Sequence, residues 1–312
     1  MAADAIALRH DRVGLGWRGE LAAGVFANLE HIDLLELIAD DHYRATPLEL
    51  RALRTLAGQV PVTLHGVAMG LASAEPACER RMAGMARLAA ALQPESWSEH
   101  LAFVRSGGVE IGHLAAPPRT ARSIDNAAAN IARAQAIVGA APLLENIATL
   151  IDPPASTLDE PGWVTGISEA SGAELLLDLH NLYANAVNFG ADPAALLLRF
   201  PLARVRAVHL SGGEWIPEPA DAAASTLVHH TLPDGSPRHM RLLDDHIHDV
   251  PDPVFELLTL LAANAPQPFD VVIERDGRFP DFASLRAQMD RARCALAAGR
   301  ATARCAQALA AE

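Results

Sequence analysis

The sequence predicts an α/β protein folded as a single (β/α)8 TIM barrel, and three observations carry that expectation. Short apolar runs alternate with longer Ala/Leu-rich stretches of helical period, the pattern of repeated βα units. Eight such runs can be counted, enough for a sheet to close on itself. The 312 residues, half of them hydrophobic, give barrel length and a large core. The alternative is an open doubly wound sheet, which should carry a Gly-rich phosphate turn. GLGWRG at Gly14–Gly19 has the wrong glycine spacing for one.

Taken in order, the expected strands are Val13–Trp17, Leu34–Ile38, Val62–His65, Ser96–Leu101, Pro142–Asn146, Glu174–Leu179, Arg206–Leu210 and Asp270–Glu274. The expected helices are Pro47–Gly58, Pro76–Leu92, Ser123–Val138, Glu160–Ser171, Pro193–Arg199, Pro253–Ala263 and Phe282–Ala298. Several open on Pro near the first turn, where its missing N–H costs nothing. One excursion breaks the rhythm, a loop insertion over about 211–250 between the seventh and eighth strands. It holds five of the thirteen histidines, which marks it as functional. Residues 1–300 read as one catalytic domain and 301–312 as a frayed helical tail.

Composition narrows the function. A net charge of −13 argues against nucleic acid, because phosphate binding needs clustered Lys and Arg. It suits metal cations or a basic peptide or protein. Cys78, Cys294 and Cys305 are scattered and form no CxxC pair, so neither a disulfide framework nor a thiolate zinc site is expected. No signal peptide or long apolar span is visible, so the expectation is a cytoplasmic protein with no membrane segment.

The chemistry concentrates at strand ends. Strand three ends on His65, strand four carries Glu99 and His100, and strand five carries Glu145 and Asn146. Strand six ends on Asp178, His180 and Asn181, strand seven on His209, and strand eight on Glu274 and Asp276. In a barrel these ends share the face where active sites lie. The insertion adds LDDHIHD, with Asp244, Asp245, His246 and His248. Singly, each carboxylate could cap a helix or pair with an arginine such as Arg275. Crowded at one mouth they repel, and a metal supplies the missing positive charge. Imidazole and carboxylate without thiolate suit iron, manganese or zinc. The ligand surplus over one mononuclear site points to a multinuclear centre, with Glu145 able to bridge two ions. Asp40, Asp41 and His42, after strand two, face the same mouth, whereas His229, His230 and His239 read as surface residues.

At these residues the sequence resembles the multinuclear non-heme iron-dependent oxidative enzymes, relatives of the methanobactin biosynthesis catalytic subunit and of enzymes that modify peptide cysteines. The matching motifs are GLGWR (Gly14–Arg18), LHGV (Leu64–Val67), SEHL (Ser98–Leu101), LLENI (Leu143–Ile147) and LLLDLHNLYANAVNFG (Leu175–Gly190). VHLSG (Val208–Gly212), DDHIHDVPDPVFEL (Asp244–Leu257) and IERD (Ile273–Asp276) complete the set. The resemblance implies a TIM barrel holding two or three irons, mixed Fe(II)/Fe(III), with O2 as co-substrate. By motif, His65, His100 and Glu145 would serve one iron and Asp178, His209 and Glu274 a second, with Asn181, Asp244 and His246 completing a third position. It also implies a ribosomal precursor peptide as substrate and a separate peptide-recruiting partner protein.

The chain departs from the family pattern at Asp40 and Asp41, where Glu-Asn is common, and at Gly212–Gly213 followed by Glu214, where Gly-His is common. His180 stands where many members have a non-ligating residue. With Asn146 and His248, these positions are candidate substrate contacts or secondary ligands. Two other readings compete: a divalent-metal TIM-barrel isomerase or phosphodiesterase, and a non-catalytic metal-binding barrel. A sugar isomerase should present a catalytic Lys, and the chain has no lysine.

Overall fold

A computed structural model describes residues 10–217, 229–231 and 237–310, of which 229–231, 237–239 and 310 are described by backbone alone. The side chains of His229, His230 and His239 therefore lie outside the described residues. Thirteen strands are described. They are β1 (Arg12–Gly16), β2 (Leu35–Ile38), β3 (Val62–Gly66), β4 (Trp97–His100), β5 (Phe103–Ser106), β6 (Val109–Ala115), β7 (Leu143–Glu145), β8 (Leu175–Asp178), β9 (Val205–Leu210), β10 (Gly213–Pro217), β11 (His229–Thr231), β12 (Pro237–Asp244) and β13 (Asp270–Ile273). Eight of them close a barrel in the order β1-β13-β9-β8-β7-β4-β3-β2, and their pairings are parallel. These are the eight strands expected from the sequence, each within two residues of the expected bounds.

The helices are α1 (Ala22–Ala27), α2 (Ala39–His42), α3 (Pro47–Ala57), α4 (Glu79–Leu92), α5 (Ala121–Val138), α6 (Glu160–Ser171), α7 (Leu179–Asn188), α8 (Pro193–Leu197), α9 (Asp252–Asn264) and α10 (Phe282–Ala310). Local chemistry starts several of them. Thr46 and Thr120 cap α3 and α5 with reciprocal capping boxes, and Asp159 caps α6. Among the described residues, no helix is long and apolar enough to cross a membrane.

Four features depart from the expected pattern. Helix α7 follows β8 without a loop, and its nucleating cap is Asp178, whose Oδ1 accepts the Asn181 amide proton at 2.6 Å. Most of α7 is buried, so it lacks the polar stripe that identifies a surface helix. The segment after strand four forms an antiparallel hairpin, β5–β6. The insertion is not only loop, because β10, β11 and β12 form a small antiparallel sheet. The last helix also runs beyond the expected Ala298 to Ala310.

Helix α10 is anchored by close backbone approach. A Cβ at Gly299 would lie 2.3 Å from the Thr259 carbonyl oxygen and 2.7 Å from Ala262 Cβ, both on α9. Overpacking of this kind costs about 1–3 kcal/mol. Gly299→Val is therefore expected to lower the melting temperature by several degrees in a calorimetric scan. An unchanged melt would contradict this packing.

Candidate metal centre

Barrel register explains why ligand-type side chains distant in sequence meet. His100 pairs with Glu145 across β4 and β7, and Asp178 with His209 across β8 and β9. Equivalent levels on neighbouring strands put these side chains at the C-terminal mouth. Glu145 is the hub. Its Oε2 lies 3.4 Å from His65 Nε2 and 3.2 Å from His100 Nε2, while its Oε1 lies 3.1 Å from His209 Nδ1. His209 Nδ1 is also 3.0 Å from Glu274 Oε2. Two ligand-type groups result, His65–His100–Glu145 and Glu145–Asp178–His209–Glu274, and they share Glu145. The seven side chains of this centre counted with Glu36 are all buried.

The strand end and the insertion add a third corner. Asp244 Oδ2 lies 2.9 Å from His246 Nε2, and Asn181, Asp244, His246 and Glu274 line one cavity. His246 has a left-handed backbone (φ 55°), held by hydrogen bonds from its amide to the Gly212 carbonyl and from the Asp276 amide to its own carbonyl. Such a conformation persists only where its surroundings fix it.

The donor set fits cations. Buried Asp178 Oδ2 and Asn181 Oδ1 lack hydrogen-bond partners among the described residues, while Glu145 Oε2, His209 Nε2 and Glu274 Oε2 meet ionic neighbours at 2.9–3.4 Å without hydrogen-bond alignment. Unpaired buried polar atoms are costly. Two ligands at about 2.0–2.2 Å from one ion stand about 3.0–3.4 Å apart, which is the spacing of Glu145 Oε2 from the His65 and His100 nitrogens. Arg18 is engaged with Asp276 and Arg275 with Asp249.

A family model described as "RiPP precursor modification enzyme MbnB/TglH/ChrH" matches residues 12–297. The chain belongs to this family. A UPF0276 protein of Streptomyces avermitilis is 34% identical over 88% of the chain, which spans only 53% of that relative's length. One from Bordetella bronchiseptica is 31% identical over 94% of the chain and 95% of its own length. Solved structures share the barrel at low identity. An L-ribulose 3-epimerase superposes with TM-score 0.55 at 16% identity, covering 97% of this chain and 98% of that one. Endonuclease IV from Thermus thermophilus gives 0.53 at 18%, covering 90% and 98%.

In this MbnB/TglH/ChrH-family barrel the remaining candidates have other surroundings. Asp40 binds Arg81 at 2.6 Å and the Val67 amide at 2.9 Å, and Asp41 is exposed. Asn146 clamps β8, with its Oδ1 accepting from the Asp178 amide and its Nδ2 donating to the Asp178 carbonyl. Glu214 and His248 join Asp245 in a separate, outer cluster, where Arg278 Nη1 lies 3.2 Å from His248 Nε2. His180 contacts Asp244 rather than the shared groups.

The sequence reading missed Glu36 on β2, whose Oε1 lies 2.9 Å from His209 Nε2. Its signal was available: a lone carboxylate inside the apolar run LLELI requires a buried partner. It also missed Ser98, whose Oγ lies 2.8 Å from His65 Nδ1. A serine in a strand carries no comparable signal.

The protonation of the metal-free family barrel follows from these contacts. Burial opposes charge on His100, but the Glu145, Glu99 and Glu274 carboxylates outweigh it and hold the ring at about 9. Burial likewise opposes charge on His209 and His246, and surrounding carboxylates, with Glu274 foremost, hold both well above the usual histidine value. A raised histidine stabilises the fold fully below its unfolded pKa, and that stability is lost as pH rises through the folded pKa. Metal-free protein is therefore expected to melt at lower temperature as pH goes from about 6.5 to about 9. Over the same window metal affinity is expected to strengthen by more than about tenfold per pH unit, because each ring must shed its proton. Metal competition titrations with a pH-stat check this. A pH-independent affinity would contradict it.

Proposed function

We propose that the chain is a non-heme iron-dependent oxidoreductase that uses O2 to modify a cysteine, or a residue beside it, in a ribosomally made precursor peptide. The observation that carries the reading is the carboxylate of Glu145, shared between two buried histidine–carboxylate groups. Such sharing suits adjacent ions, and imidazole–carboxylate donors without thiolate suit iron. Bound iron would supply one-electron chemistry on O2 and a Lewis-acidic seat for a substrate thiolate.

The residues divide the work. His65, His100 and Glu145 would hold one ion; Asp178, His209 and Glu274, with Glu145, a second; and Asn181, Asp244 and His246 a third. Ser98 and Asn146 fix the orientation of His65 and of β8. Above the centre lies a cavity of about 620 Å³. Its walls include Val67, Phe103, Leu114, Ile147 and Leu242, and no arginine lines it among the described residues. Such walls suit an uncharged stretch of peptide. Ile151 and Leu150 at its edge are 70% and 41% exposed, and Val109 and Ile111 on the β5–β6 hairpin are exposed too. This apolar rim supports docking of a peptide-recruiting partner protein, and the reading places the action in the cytoplasm, where such peptides are made.

The test is to incubate iron-loaded protein and O2 with a Cys-containing precursor peptide encoded beside it, with and without the neighbouring candidate partner. A mass change localised to the cysteine, dependent on iron and O2, is expected only with the partner present. Full activity of the isolated chain on a leader-bearing peptide would contradict the partner. Unchanged peptide under every combination would contradict the oxidase.

A further inference from the structure

We infer that His180 is a positioning residue that selects which oxygen of Asp244 faces the third metal position. The inference rests on the metal reading above. His180 and Asn181 are consecutive in the first turn of α7, so their side chains diverge by about 100° around the helix. Asn181 lines the cavity with Asp244 and His246. His180 is wholly buried and turns the other way, with its Nδ1 2.9 Å from Asp244 Oδ1. Ser211 Oγ donates to the same oxygen at 3.1 Å. An ionised carboxylate only accepts, so the His180 ring carries its proton on Nδ1. With two donors on Oδ1, the oxygen left to face the third position is Oδ2, the atom 2.9 Å from His246 Nε2.

The seat of the ring is built for this contact. Gly213 on β10 pairs directly with Asp244 on β12. A Cβ at 213 would stand 2.6 Å from His180 Cε1 and 2.9 Å from its Nε2. The imidazole thus occupies the space above a residue without a side chain, and its far nitrogen has no partner among the described residues. A ring kept only to fill volume would not require a donor aimed at the carboxylate. Outer partners of metal ligands are worth about 10–100-fold in metal affinity, which sets the expected effect.

The experiment compares wild type with His180→Asn, His180→Gln and His180→Leu. Each is loaded anaerobically with Fe(II), and bound iron per chain is counted at stepped free-metal concentrations. The asparagine amide replaces Nδ1, and the glutamine amide reaches instead toward the position of Nε2. His180→Asn should keep the third equivalent within a few-fold of wild type. His180→Gln and His180→Leu should weaken it by about 10–100-fold and leave the first two equivalents unchanged. If His180→Leu does not fold, Ser211→Ala removes the other donor on Oδ1 and should weaken the third equivalent alone. Three results overturn the inference: a third equivalent in His180→Leu as tight as in wild type, His180→Asn as weak as His180→Leu, or equal weakening of every equivalent. Wild-type protein that binds no third equivalent overturns the three-ion reading and this inference with it. That outcome is distinguishable, because it appears before any substitution.

Discussion

Glu145→Gln is expected to leave a folded barrel that has lost at least one metal ion and all activity on its peptide. Glutamine keeps the length of the side chain but replaces one carboxylate oxygen with an amide that cannot ligate. The lost oxygen is either the one 3.2 Å from His100 Nε2 and 3.4 Å from His65 Nε2, or the one 3.1 Å from His209 Nδ1. Either way one of the two groups that meet at residue 145 loses its shared member. The loss of affinity should exceed the ~10–100-fold typical of outer partners. In metal-free protein the same change removes the foremost carboxylate holding His100 at about 9, so that ring should titrate lower. Bound metal by elemental analysis, a histidine titration by NMR and a circular dichroism spectrum separate these effects. Full metal content in Glu145→Gln would show that residue 145 bridges nothing.

Asp178→Asn is expected to act in opposite directions on the two forms of the protein. In metal-free protein burial, reinforced by Asp244, Glu145 and Glu274, pushes the Asp178 carboxyl well above its ordinary value. A carboxyl raised in the folded state costs stability as pH rises from its unfolded pKa through the folded one. Asparagine removes that cost and can still cap α7, because its Oδ1 can accept the Asn181 amide proton as Asp178 Oδ1 does at 2.6 Å. Metal-free Asp178→Asn should therefore melt above metal-free wild type at neutral pH. With metal present the order should reverse, because the unpartnered Oδ2 that faces the centre is gone. Thermal melts with and without chelator check both signs. A variant less stable than wild type in chelator would contradict the electrostatic account of this corner.

The barrel was legible because its strands are apolar runs separated by amphipathic helices, and because ligand-type residues cluster where those runs end. His65, His100, Glu145, Asp178, His209 and Glu274 could be grouped from that pattern, since neighbouring parallel strands bring their ends to one level. Helix α7 was not legible, because a helix buried on nearly all sides shows no period to read. The β10–β12 sheet was missed because its pairing joins Gly213–Pro217 to Pro237–Asp244, with proline and glycine at its ends. Glu36 was overlooked for a different reason. It sits inside its strand rather than at the end, and only the barrel register turns it toward His209.

The most direct measurement is metal content per chain on anaerobically purified protein, with iron and zinc quantified together and the iron oxidation state read by Mössbauer spectroscopy. The account predicts roughly two to three irons, mixed Fe(II)/Fe(III), with the count falling in His65→Ala and Asp178→Ala. Zinc or manganese alone, after expression with ample iron, would contradict it and move the protein to hydrolytic or isomerase chemistry.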